Sequence, residues 1–323
     1  MHPKTKLSFK CYILVKLLYF NLYQQMKIWN SIITSTILLI ISNYCIAQNN
    51  GYKEVQLTNH TFDNRYASYN KSGDLILFES NRDGHWQIYT MDINGNHQKR
   101  LIISSYNDRR PVWHPFNNIV LFESDRSGTN ELYKLYIDTN TIQKIPISLN
   151  GNKSFGQFAP NGVDVVFNYE NTSEDIDIYS ITHKGKRLKM IVDDSYKKLR
   201  PRYSPKGNSI AYFTNKNNTG DTDVVYVYNL FLKEKNKLTY FKDQSQYPAY
   251  SNNGRRIAYS TSYKDEQPEI YVMDSDGDNK KRITFNDTED ILPYWSPKDI
   301  NILISRLINN NYQICKILLK EPL

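Results

Sequence analysis

Five histidines outside the amino-terminal leader, 33 carboxylates and a spread of arginines are the groups in this chain that could carry chemistry. A metal centre needs about three ligands converging on one ion, and His60, His85, His97, His114 and His183 show no such spacing. The chain has no Gly-x-Ser-x-Gly elbow to expose a serine and no His-Glu-x-x-His pair to bind zinc. The run Asp274-Ser-Asp-Gly-Asp278 has the alternating acids of a calcium loop, but Phe285 stands where the twelfth position requires an acid. A hairpin turn is its expected role. No catalytic residue, metal or cofactor is expected from these patterns.

Net charge also excludes a function class once it is located. The formal value is +8, yet residues 1–47 hold five lysines and no acid. Residues 48–323 therefore carry 36 basic against 33 acidic side chains, a balance that gives no electrostatic footprint for nucleic acid.

Those first 47 residues differ in kind from the rest. From Met26 the chain has a basic flank at Lys27, an apolar run from Ile32 to Ile41, and small residues at Cys45 and Ala47. This is the pattern of a secretory signal cut before Gln48, with initiation at Met26. An uncleaved anchor is the alternative, although both leader runs are shorter than the ~20 residues of a membrane span. A stable span in the mature chain is not expected. Cys11 and Cys45 lie in the leader, leaving Cys315 alone, so no disulfide can form within residues 48–323.

The elements that must position any site are revealed by self-comparison. An aromatic followed by a turn recurs as Tyr69-Asn-Lys-Ser-Gly73, Trp113-His-Pro-Phe-Asn117, Phe158-Ala-Pro-Asn-Gly162, Tyr203-Ser-Pro-Lys-Gly207, Tyr250-Ser-Asn-Asn-Gly254 and Trp295-Ser-Pro-Lys-Asp299. The steps are 44, 45, 45, 47 and 45 residues. A short apolar run follows each turn, then a second strand opening at Ile88, Leu132, Ile178, Val225, Ile270 and Ile314. The 26 tyrosines suit packed β-structure, and no helical period is present. Each unit reads as four short antiparallel strands, and six such sheets stacked about an axis bury both faces. The expected fold is all-β, a six-bladed propeller over residues 48–323. The sixth unit lacks its outer strand, and Glu54-Val55-Gln56-Leu57-Thr58 matches the missing piece. The amino-terminal segment is thus expected to close the ring.

In such a blade the turn after the aromatic and the turn between the third and fourth strands share one face. His97, His114 and His183 fall there, with His60 and His85 opposite. The aromatic markers recur in strict register, as packing between blades requires. The positions just before each innermost strand enter the central funnel: Arg65, Asp108, Arg109, Arg110, Lys153, Arg200 with Arg202, Tyr247 and Asp290. Four of the six units offer a cation there, which suits an acidic partner segment. The turns after the aromatics are alike, whereas the opposite connections at 171–175, 215–222 and 263–268 vary, so recognition is expected on that variable face.

Tyr203-Ser-Pro-Lys-Gly207 with Ile210-Ala-Tyr212, and Glu269-Ile-Tyr-Val-Met-Asp274 with Asp276-Gly277 and Lys281-Arg-Ile-Thr284, resemble the WD-like repeats of the TolB family. The resemblance extends over all six units, without the α/β domain that precedes the propeller in TolB itself. It implies a periplasmic propeller that binds other envelope proteins without catalysis. Similar repeats occur in propellers that gate oligopeptidases and in some polysaccharide lyases, so a carbohydrate-active enzyme and a peptidase-type propeller lacking its catalytic domain are the alternatives. A monomer that binds an envelope protein or acidic peptide segment is the expected state. Amino-terminal sequencing of the exported protein should begin at Gln48; an intact chain recovered in membranes would establish the anchor instead.

Overall fold

The computed structural model describes residues 52–319 apart from 173–174, 195, 216–221, 241–243 and 264–266, so the leader and its cut site lie outside the described residues. The chain starts with β1 (Lys53–Gln56). Blade one follows as β2 (Asn64–Tyr69), β3 (Leu75–Ser80), β4 (Gln87–Asp92) and β5 (Lys99–Arg100). Blade two is β6 (Asp108–Trp113), β7 (Ile119–Ser124), β8 (Glu131–Tyr136) and β9 (Thr141–Lys144). Blade three is β10 (Asn152–Phe158), β11 (Asp164–Thr172), β12 (Asp175–Thr182) and β13 (Lys189–Met190). Blade four is β14 (Lys197–Tyr203), β15 (Ser209–Asn215), β16 (Asp223–Asn229) and β17 (Lys235–Lys237). Blade five is β18 (Ser245–Tyr250), β19 (Arg256–Thr261), β20 (Glu269–Asp274) and β21 (Lys281–Arg282). Blade six is β22 (Asp290–Trp295), β23 (Asn301–Ile308) and β24 (Asn311–Leu318), with β1 as its fourth strand. Blades one to five are antiparallel sheets in chain order, blade six adds β1 outside β24, and the six form a six-bladed β-propeller. Among the described residues there is no helix long and apolar enough to cross a membrane.

The core lies between blades rather than within them. Leu77, Ile88 and Ile102 of blade one pack with Val120, Phe122, Tyr133 and Leu135 of blade two, while Ile76 and Phe78 turn the other way, toward Leu303 and Ile314 of blade six. Strand β3 is therefore apolar on both faces, which is why its sequence is a continuous run rather than an alternation. The same arrangement repeats with Leu121 and Leu132 against Phe158, Val165 and Phe167, and with Phe213 and Val225 against Ile257 and Tyr259. Each such side chain, fully buried, contributes about 1.5–3 kcal/mol.

Closure occurs where the repeat pattern places it. Lys53, Glu54, Val55 and Gln56 pair with Leu318, Ile317, Lys316 and Cys315. The Leu57 amide continues the ladder to the Ile314 carbonyl at 2.8 Å, and the Thr58 hydroxyl accepts from the Ile314 amide at 2.9 Å. Thr239 and Thr284 do the same for Val225 and Ile270, so the threonine that ends the outer strand is a repeated latch. Gly95 seals the joint from blade one. Its φ of +88° makes the turn, and a Cβ there would sit 2.3 Å from the Leu57 carbonyl oxygen. Arg306 ties the outermost strand of blade six to the innermost by bridging Glu54 and Asp290.

Deleting residues 48–60 should lower the melting temperature by several degrees, at about 2–4 °C per kcal/mol for a domain of this order. An unchanged transition in calorimetry would show that the strand does not hold the ring.

Candidate functional site

The nine candidate residues all lie within the innermost strands, not just before them as their spacing suggested. The reason is a bulge repeated in every blade. In β2 the pairing with β3 skips from Arg65 to Ser68, and in β6 from Arg109 to Val112. β10, β14, β18 and β22 skip at the same place. At each skip one residue takes a left-handed conformation: Tyr66, Arg110, Phe155, Arg200, Tyr247 and Leu292, with φ between 48° and 58°. Proline follows at 111, 201, 248 and 293, where the broken ladder leaves no demand for an amide hydrogen.

Each left-handed non-glycine residue costs about 1–2 kcal/mol. In three blades the strain is supported from the blade before. Glu79 of β3 accepts from the Arg110 amide at 2.7 Å, Glu123 of β7 accepts from the Phe155 amide, and Asn168 of β11 accepts from the Arg200 amide at 2.8 Å. The bulge aims these six side chains at the axis. They interleave as arginine and aromatic: Arg110 stacks on Phe155 at 4.1 Å, and Arg200 lies 4.0 Å from Tyr247, 4.6 Å from Phe155 and 5.2 Å from Tyr66. One step along, Ser68, Val112, Arg202 and Tyr294 line the same narrow cavity, which has about 40 Å³ of room for water. Beyond it the channel widens to an open funnel of about 480 Å³ whose wall includes all six aromatic markers. Tyr69, Phe158 and Trp295 are buried, so the markers pack between blades and also edge the funnel.

The funnel opens among the short, alike turns, at Asn70, Lys71, Pro115, Phe116, Pro160, Pro205 and Pro297. That is the face opposite the one expected from loop variation. Uniform turns around a ring leave a bowl, a consequence of the whole ring that no single loop reveals.

The arginines of the channel differ in their charge partners. The Arg110 guanidinium meets the Glu123 carboxylate at 2.5 Å; burial opposes its charge, but Glu123 holds its pKa above the ordinary range. Among the described residues Arg200 and Arg202 have no ion pair and no side-chain hydrogen bond, and Arg200 Nη1 is buried without any partner. Burial pushes the Arg202 pKa below its ordinary value, with the like charge of Arg200 adding to the fall. Burial also raises the Tyr247 and Tyr294 phenols, keeping them protonated as donors.

The other candidates serve the framework. Asp108 accepts from Arg126 at 2.6 Å, and Asp290 takes both Nε and Nη2 of Arg306 at 2.7 Å. Lys153 spends its three protons on Glu131 and two backbone carbonyls. Arg65 and Arg109 stack on Trp86 at 4.3 and 4.8 Å and share the buried Glu79. The site thus gathers Arg110, Arg200, Arg202 and Tyr247, and adds Tyr66, Phe155, Leu292 and Tyr294, which sequence reasoning missed. A signal existed: the axial residue always stands three before the aromatic marker, and in four blades it precedes proline.

The histidines are less dispersed than their spacing suggests. His114 and His183 pack edge-on 6.3 Å apart around Phe158. Both nitrogens of His114 are occupied, Nε2 by the Gly162 carbonyl and Nδ1 by the Phe116 and Asn117 amides. Asp274 begins a tight hairpin turned by Gly277 at φ 103°, and its carboxylate holds Arg256 at 2.5 Å. Among the described residues no three His, Cys, Asp or Glu side chains converge as metal ligands would.

This architecture defines a class: a six-bladed propeller whose channel is built from one bulged strand per blade. A family model described as the TolB beta propeller domain matches residues 166–317. The chain superposes on TolB from Acinetobacter baumannii with a TM-score of 0.60 at 17% identity, over 79% of this chain and 63% of that one. An oligogalacturonate lyase from Vibrio parahaemolyticus gives 0.55 at 12% identity, over 84% of this chain and 95% of that one. In sequence, 108 residues are 24% identical to an uncharacterized peptidase, YuxL, of Bacillus subtilis, covering 32% of this chain and only 16% of that protein. Residues 166–317 thus match a TolB-type propeller domain, and the described chain is similar to TolB in its β-propeller fold.

Replacing Glu123 with alanine strands the Arg110 charge and the Phe155 amide, and should cost about 3–5 kcal/mol in urea unfolding. Ser305 occupies the corresponding position in blade six with an unpartnered hydroxyl. Ser305→Ala should stay within about 0.5 kcal/mol.

Proposed function

We propose that this propeller is a non-catalytic interaction module of the periplasm, exported through the leader at residues 26–47, whose channel receives an acidic segment of another envelope protein. The observation that carries the reading is the pair Arg200 and Arg202, held in the channel with no carboxylate to meet them among the described residues. Proteins rarely leave such charge uncompensated, because a desolvated cation is costly without a partner. The funnel gives an extended segment a route to Arg202, with Arg200 in the narrow cavity beyond it. The likeness to TolB supports the compartment and the role.

The test is capture from envelope extract. The wild-type protein should retain a partner with salt-sensitive affinity. Arg200→Glu with Arg202→Glu should abolish capture while the melting temperature stays within a few degrees. Capture that survives this pair, but is lost on altering Gln267 and Pro268 in the variable connection at 263–268, would overturn the channel reading.

A further inference from the structure

Three arginines reach the channel, and only one is neutralised. Glu123 answers Arg110, whereas Arg200 and Arg202 stand two residues apart on β14 with neither an acid nor a hydrogen-bond acceptor among the described residues. Hydroxyl groups that can also donate lie around them. Ser68 Oγ is buried without a partner, and Tyr294 lines the cavity beside Arg202. Aromatic stacking on Tyr247 and Phe155 fixes the Arg200 plane without consuming its N–H groups. The space left between these donors is small, about 40 Å³, which excludes a side-chain-sized apolar group and matches a few heavy atoms.

We infer that the waist of the channel, between Arg200 and Arg202, is a binding site for a single oxyanion, a carboxylate or phosphate group entering from the funnel. Two guanidiniums offer forked donors to such a group, and Ser68 and Tyr294 complete its shell. The rest of the ligand then occupies the funnel among Trp113, Phe158 and Trp295. Mutual repulsion between the two cations is relieved when the anion arrives, so binding should stiffen the inner ring. Of all the charged groups on the innermost strands, these two alone lack a described partner and face a cavity, which is why the site is placed here and not at Arg65 or Arg109 over Glu79.

The inference rests on the same channel that the proposed function uses, but it concerns a small ligand and can fail separately. Calorimetric titration of the whole protein with inorganic phosphate and, separately, with succinate is the test. At least one anion should bind and raise the melting temperature, and whichever binds more tightly identifies phosphate or carboxylate as the natural group. Arg200→Gln and Arg202→Gln should each weaken that affinity at least tenfold, while Arg202→Lys, which keeps the charge, should retain part of it. In anion-free buffer Arg202→Met should melt no lower than wild type, because it removes an uncompensated, half-buried charge. Binding by neither anion, or binding indifferent to both glutamine variants, would overturn the oxyanion site. Should partner capture depend on the arginines while neither anion binds, this inference falls and the interaction module stands. Should anions bind at the waist while capture ignores the arginines, the interaction reading falls and the oxyanion site stands.

Discussion

The channel of this molecule depends on one irregularity, the bulge that interrupts each innermost strand and forces a non-glycine residue to positive φ. A regular strand would send that side chain between blades, into the apolar layers that hold the ring together. The bulge instead turns one residue per blade out of the alternation to face the axis, and in four blades the residue two further on lines the same cavity. Backbone strain is thereby stored at six equivalent points around the channel. Glu79, Glu123 and Asn168 show how it is held: an acceptor on one blade takes the amide that the bulge frees on the next.

The same supports set the electrostatics. Blades one and two place glutamates beside the channel, and these neutralise or share Arg65, Arg109 and Arg110. Blade three has Asn168 at that position, which accepts a hydrogen bond as well as a carboxylate does but brings no charge. Arg200 is left without an acidic partner for that reason. Arg202, one step further, faces Tyr294 and not an acid. The asymmetry of an otherwise regular ring is therefore an asymmetry of charge, and it marks one side of the channel as the place for an anion.

The repeat was legible in the sequence because packing between blades demands an aromatic, a turn and an apolar run at every 44 to 47 residues. The missing outer strand of unit six and its match at Glu54 to Thr58 made the closure legible too. The channel was not legible to the same degree. Local spacing identifies which residues lie near the start of the innermost strand, but a bulge reverses the facing of the next residue, and only its place three before the aromatic marker, with a proline after it in four blades, announces it. Asp108, Lys153 and Asp290 looked available because their partners lie elsewhere in the chain: Arg126 in the β7–β8 connection, Glu131 on β8 and Arg306 on β23. The funnel's place among the short turns was not legible for a related reason: loop variability is a local property, and concavity belongs to the ring.

The most direct measurement is anomalous diffraction from crystals of the protein soaked with selenate, an oxyanion visible at the selenium edge. The account predicts a peak at the channel waist, within hydrogen-bonding distance of both Arg200 and Arg202, with Tyr66, Phe155 and Tyr247 in the left-handed, axis-facing conformation. A waist without selenium in crystals that bind selenate elsewhere, or arginines turned away onto acidic partners, would contradict it.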